Sequence, residues 1–276
     1  MAEPAPIDES QFVASGEFAT VAAAARYPDI NAPERMTACR DTGQYRFVAL
    51  YMNRQGHANN LTTVRTQIRK ALKRANYLVH DETQRSSNNN KKANLDFRCN
   101  PENTQPAVRY GGAVPTRSFA QAVTVAKANG FNHPREKYVI FGDYLDPQGS
   151  YCGWGDSTAD DRRIVNNKNN GGTGSSTYAL TFKNCWDWRT PLHEMIHMLG
   201  GVQSSAPEAI SGHTHVGSDV MYASGNGHPN DEPDQCAHMR LDCGKNTYFD
   251  ANPSAGSYLA THWNIGWDAN RYINIY

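Results

Sequence analysis

The stretch Thr190-Pro-Leu-His-Glu-Met-Ile-His-Met-Leu-Gly-Gly201 constrains this chain more than any other. It reads His-Glu-x-x-His and ends on two glycines. Residues four apart share a helix face, so His193 and His197 can aim their imidazoles at one point. Glu194 lies one residue round from His193, within reach of a water held there. Two neutral imidazoles suit a zinc ion, and the adjacent carboxylate suits the proton transfer of zinc-water chemistry. The flanks favour a helix. Thr190 is a good N-cap and Pro191 a good first helical residue. Leu192, Met195, Ile196 and Leu199 form an apolar stripe, and Gly200 and Gly201 supply the stop. The competing reading is an amphipathic helix whose histidines merely pack.

A catalytic zinc needs a third protein ligand and one open position. Gln203 lies six residues after His197, but an amide oxygen is a poor zinc ligand beside imidazole. His213 and His215 follow a loop containing Ser204, Ser205, Pro207 and Ser211, a composition suited to an excursion of the chain. Asp219 is another oxygen donor nearby. His213 is the leading candidate, with His215, Asp219 and Gln203 as alternatives.

The order His193, Glu194, His197, Gly200 resembles the metzincin metalloproteases, whose pattern is His-Glu-x-x-His-x-x-Gly-x-x-His. The chain departs from it at the last position, which is Gln203. Gly212-His-Thr-His-Val-Gly-Ser-Asp-Val-Met-Tyr222 resembles the family's methionine turn, with Met221 as the methionine. Tyr222 follows that methionine directly, so the role of a tyrosine two residues after it is not carried over. The segments Gly200–Pro207, Leu241-Asp-Cys-Gly244 with Tyr248-Phe249, and Gly256–Asn264 are similar to a group of secreted actinobacterial proteins that themselves resemble metzincins. The resemblance implies a secreted zinc endopeptidase with Glu194 as general base, ligands His193, His197 and His213, and a peptide or protein substrate. Two other functions stay open: a secreted binding protein on an inactive scaffold, and a zinc amidase acting on a non-peptide or cell-wall substrate.

At 276 residues the chain can bury a sizeable core. Acidic and basic residues balance at 27 each, which gives no footprint for nucleic acid or an anionic membrane. Arg65, Arg69, Lys70, Lys73 and Arg74 cluster on one expected helix and read as a solvated face. The 6 cysteines are scattered, with no Cys-x-x-Cys pair, and read as three disulfides formed in an oxidising compartment. Proximity pairs Cys236 with Cys243, Cys152 with Cys185, and Cys39 with Cys99. No apolar run reaches membrane-span length, and Met1–Pro6 lacks the parts of a signal peptide. The cysteines and the resemblance together imply a mature secreted form, expected to be a monomer.

Along the chain, residues 1–35 read as an N-terminal extension with a short helix. Strands are expected at Tyr45–Tyr51, Ala93–Cys99, Lys137–Phe141 and Ser176–Phe182. Helices are expected from Leu61 to about His80 and from Phe119 to about Asn129. Residues 142–175 read as loop with an edge strand near Arg162–Val165. Asp156, Asp160 and Asp161 are oxygen donors that could bind calcium, though a solvated loop is the simpler reading. Gly171-Gly-Thr-Gly-Ser175 lacks the lysine of a phosphate loop and reads as a turn. The class is α+β and zincin-like: a twisted mixed sheet with helices, including the active-site helix, over residues 36–200. A smaller irregular lobe carrying the methionine turn is expected over 201–276.

Overall fold

The computed structural model describes residues 39, 41–102, 104–147, 151–223, 236 and 239–276, so the expected extension over 1–35 lies outside the described residues. The elements in chain order are β1 (Arg46–Arg54), α1 (Leu61–Ser86), β2 (Ala93–Leu95), β3 (Val108–Val114), α2 (Phe119–Ala128) and β4 (Glu136–Asp143). Then come β5 (Gly153–Gly155), β6 (Thr177–Phe182), α3 (Arg189–Met198), the short pair β7 (Ala209–Ile210) and β8 (His213–Thr214), α4 (Tyr258–Thr261) and β9 (Ile273–Ile275).

The main sheet runs β3-β1-β4-β6-β5, with β5 antiparallel at one edge and the other four strands parallel. Parallel strands need crossovers, and the crossovers put helices on the faces. That is why Phe47-Val-Ala-Leu-Tyr-Met52 is apolar without alternation. Phe47, Ala49 and Tyr51 pack with Ile68, Leu72, Leu192 and Met195 of α1 and α3. Val48, Leu50 and Met52 pack on the opposite face with Ala122 and Ala126 of α2. The mixed α+β class and the mixed sheet agree with the reading of the sequence.

Several elements differ from expectation. Strand β3 has no counterpart among the expected elements; its Gly111 and Gly112 weaken the propensity signal, but pairing with the interior strand β1 overrides it. The expected strand over Ala93–Cys99 is divided: β2 pairs antiparallel with C-terminal β9, while Phe97 bridges Phe47 in parallel. Helix α1 continues past His80 to Ser86, because Leu78, Val79, Glu82 and Thr83 remain buried. The edge strand is β5, not Arg162–Val165, where Arg162 bridges His262.

The core runs across the end of α3. Tyr248, Phe249, Ile265, Tyr272 and Ile273 join Phe47 and Leu192 in one cluster. All three expected disulfides are present: Cys39–Cys99, Cys152–Cys185 and Cys236–Cys243, with Cα separations of 5.8, 5.3 and 5.9 Å. Three disulfides fit an extracellular or secreted protein. Among the described residues no helix is long and apolar enough to cross a membrane.

Candidate metal centre

Helix α3 is buried along its whole length, which a short helix tolerates only if both ends are satisfied. Its first turn is capped by Asp187, whose Oδ1 accepts from the Thr190 amide at 3.0 Å. Thr190 and Pro191 therefore lie inside the helix, and the expected Thr190 cap is corrected by one turn's geometry: the carboxylate three residues back reaches the free amide. At the other end Gly200 takes a left-handed φ of 77°. The Gly200 amide returns to the His197 carbonyl and the Gly201 amide to that of Ile196, both at 2.9 Å, the paired bonds of a Schellman stop. Two tertiary donors finish the end. Lys137 Nζ donates to the Met198 carbonyl at 2.7 Å and Trp263 Nε1 to that of Leu199 at 2.7 Å.

On this rigid helix His193 and His197 are fully buried, and their Nε2 atoms stand 3.1 Å apart. His213 arrives from a different element. Strands β7 and β8 form a hairpin pairing Ile210 with His213, and its two loop residues, Ser211 and Gly212, have φ of 48° and 82°. Positive φ at both positions is the type I′ geometry of two-residue hairpins, for which a glycine is well suited. The hairpin sets His213 Nε2 at 3.2 Å from His197 Nε2.

The outer ring nitrogens fix the tautomers. His193 Nδ1 faces the Val220 carbonyl at 2.8 Å and His213 Nδ1 the Ser211 carbonyl at 3.1 Å. A carbonyl only accepts, so both Nδ1 atoms carry protons and both Nε2 atoms present bare lone pairs toward His197. A proton on His197 satisfies one of them at a time; a cation between the three nitrogens satisfies all. Zinc bonds of ~2.0–2.1 Å at a tetrahedral angle place nitrogens about 3.3 Å apart, close to the spacing seen. Burial, with His197 and His213 as neighbours, holds His193 well below the ordinary imidazole value against the Val220 hydrogen bond. Burial alone pushes His197 down to about 3. Both rings are neutral at neutral pH, the form that binds metal. Three buried histidines that could hold a metal ion are thus brought together, and the donor set fits zinc.

Glu194 is also fully buried, beneath β5. A Cβ at Gly153 would stand 2.4 Å from Glu194 Oε1, and one at Gly155 would stand 2.9 Å from Oε2. The alternation Gly-Trp-Gly therefore turns a bare backbone face toward the carboxylate while Trp154 packs on the far side of the sheet. The reading of the sequence missed this strand; two glycines flanking one tryptophan in a three-residue run is the signal it offered.

The other candidates for third ligand have different tasks. Gln203 donates to the Gly200 carbonyl at 2.9 Å and the Thr158 carbonyl at 3.2 Å, and accepts from the Asp160 amide at 2.9 Å. It ties the end of α3 to the loop before β6. His215 is half-buried and outside the three-histidine group. Asp219 is buried with its oxygens toward backbone amides and Tyr248. Burial and then the charge of Asp242 raise it to about 7, against the pull of those hydrogen bonds. Met221 is fully buried beside Thr214, whose amide donates to the Met221 carbonyl at 3.0 Å. The three loop aspartates do not converge. Asp156 accepts from the Tyr178 amide, Asp160 pairs with Arg162, and Asp161 accepts from Ser205.

No family model matches the chain, and no curated protein matches it. Among solved structures it is similar to OgpA from Akkermansia muciniphila in two crystal forms. Each has a TM-score of 0.38 and 9% identity, over 61% of this chain and 51% of that one. The chain thus spans about half the length of that structure. A structure of a chaperone-substrate complex follows, with a TM-score of 0.31 and 11% identity over 59% of this chain and 25% of that one. The reading of the site rests on its own geometry.

Proposed function

We propose that the chain is a secreted, metzincin-like zinc endopeptidase in which His193, His197 and His213 hold the ion and Glu194 is the general base. The observation that carries this reading is the convergence of three buried imidazoles, with the His193 and His213 Nε2 atoms 3.1 and 3.2 Å from that of His197, beside a helix carboxylate one residue from the first of them. When bound, zinc would polarise the attacking water and the scissile carbonyl.

The chain's own residues supply the rest. The Val220 and Ser211 carbonyls keep two imidazoles in the metal-binding tautomer. Glu194 accepts a proton from the water as its oxygen bonds to the carbonyl carbon, then passes that proton to the leaving amine as the C–N bond breaks. The glycine face of β5 fixes where that carboxylate stands. Gln203, at the position where the metzincin pattern has its third histidine, is engaged with backbone elsewhere, and His213 completes the three-histidine group.

The test is cleavage of casein with and without a chelator, together with Glu194→Gln. The variant should keep its zinc and lose about 10²–10⁴-fold in rate. Cleavage by the variant at the wild-type rate would refute the general-base role. Zinc-loaded protein inert on casein but active on a cell-wall amide would move the substrate class.

A further inference from the structure

We infer that Asp219 is a positioning residue of the metal centre: it locks the turn that orients His193 and His213 and does not itself ligate. This rests on reading those histidines as ligands. Asp219 begins a turn closed by the Tyr222 amide on the Asp219 carbonyl at 3.1 Å. Its Oδ1 accepts from the Met221 amide at 2.7 Å, the side-chain bond of an Asx turn, and from the Tyr248 hydroxyl at 2.7 Å. Its Oδ2 accepts from the Cys243 amide at 3.0 Å. Three donors from two chain segments thus fix both carboxylate oxygens inside the core, where Asp219 is 2% exposed. Both carboxylate oxygens act as acceptors here; an asparagine would set an N–H against one of the donors.

The consequence reaches the ligands through two carbonyls of the turn. Val220 O faces His193 Nδ1 at 2.8 Å, and Met221 O accepts from the amide of Thr214, the residue after His213. The Val220 amide to the Arg240 carbonyl at 2.8 Å, and the Arg240 amide to the Ser218 carbonyl at 2.7 Å, anchor the turn to the segment that the Cys236–Cys243 disulfide closes. Partners that orient a metal-binding histidine typically contribute ten- to a hundredfold in metal affinity.

The experiment measures zinc affinity of the full-length chain by competition with a chelator, and the cobalt absorption spectrum as a report of ligand geometry. Asp219→Asn should weaken zinc by about ten- to a hundredfold and alter the cobalt bands. Val48→Ala, in the core on the opposite face of the sheet, should lower the melting temperature without either change. Tyr248→Phe removes one of the three donors and should give a smaller loss of affinity; it carries the test if Asp219→Asn does not fold. Wild-type affinity and spectrum in Asp219→Asn, or in Tyr248→Phe where that variant stands in, would overturn the positioning role. A His213→Ala variant that keeps wild-type affinity would instead overturn the ligand set beneath it.

Discussion

Alanine at Gly153 probes the proposed general base without touching a proposed ligand. The added methyl carbon would stand 2.4 Å from Glu194 Oε1 and 2.8 Å from the Leu180 carbonyl oxygen. Ordinary contact begins near 3.4 Å, so one neighbour must retreat by about 1 Å. Leu180 lies in β6, hydrogen-bonded between β4 and β5, and its backbone is the harder of the two to move. The carboxylate yields, and a displacement of about 1 Å at a reacting group costs on the order of 100-fold in rate, about 2.7 kcal/mol of barrier. Gly155→Ala brings its methyl to 2.9 Å from Oε2 and 3.0 Å from His197 Cβ, a smaller push with a smaller loss. Initial rates on casein and zinc content per chain decide the matter. The expected result is zinc at the wild-type level in both variants, with Gly153→Ala the slower. Gly153→Ala turning over like wild type, or losing its zinc along with its activity, would refute the reasoning.

Three more outcomes are expected. His213→Ala should weaken zinc binding while His215→Ala keeps the wild-type affinity, as read by competition with a chelator. Burial pushes the Glu82 carboxyl up to about 7 from 4.5 against the pull of Arg240, so the unfolded chain ionises first as pH rises. Stability then falls between pH 4.5 and about 7, and Glu82→Gln should gain on wild type by up to about 1.4 kcal/mol per pH unit across that window in urea melts. Parallel pH profiles for the two proteins would contradict it. Loop-closure entropy makes the Cys39–Cys99 bridge, with a sequence separation of 60, worth about 4 kcal/mol, and Cys236–Cys243, with a separation of 7, about 2.5 kcal/mol. Paired Cys→Ser variants compared in denaturant should keep that order.

What the sequence revealed follows the range of the forces involved. His193, Glu194 and His197 are legible because helical period alone puts them together, and the long apolar runs of β1 and β4 are legible because both of their faces are buried. The place of His213 turns on hairpin register: Ser211-Gly212 forms the two-residue loop, and a slip of one residue would face His213 away. The role of Asp219 was hidden because its partners Tyr248 and Cys243 lie 29 and 24 residues away along the chain. Strands β3 and β5 were obscured by their glycines, which weaken local propensity and which β5 needs for its contact with Glu194. Pairing of β2 with β9 joins residues near 94 to residues near 274, a contact no local pattern records.

X-ray absorption at the zinc edge of the purified full-length chain tests the central claim most directly. The account predicts about one zinc per chain with three imidazole nitrogens at ~2.0–2.1 Å, reduced to two by His213→Ala. A chain that binds no zinc, or a spectrum that keeps three imidazoles in that variant, would contradict it.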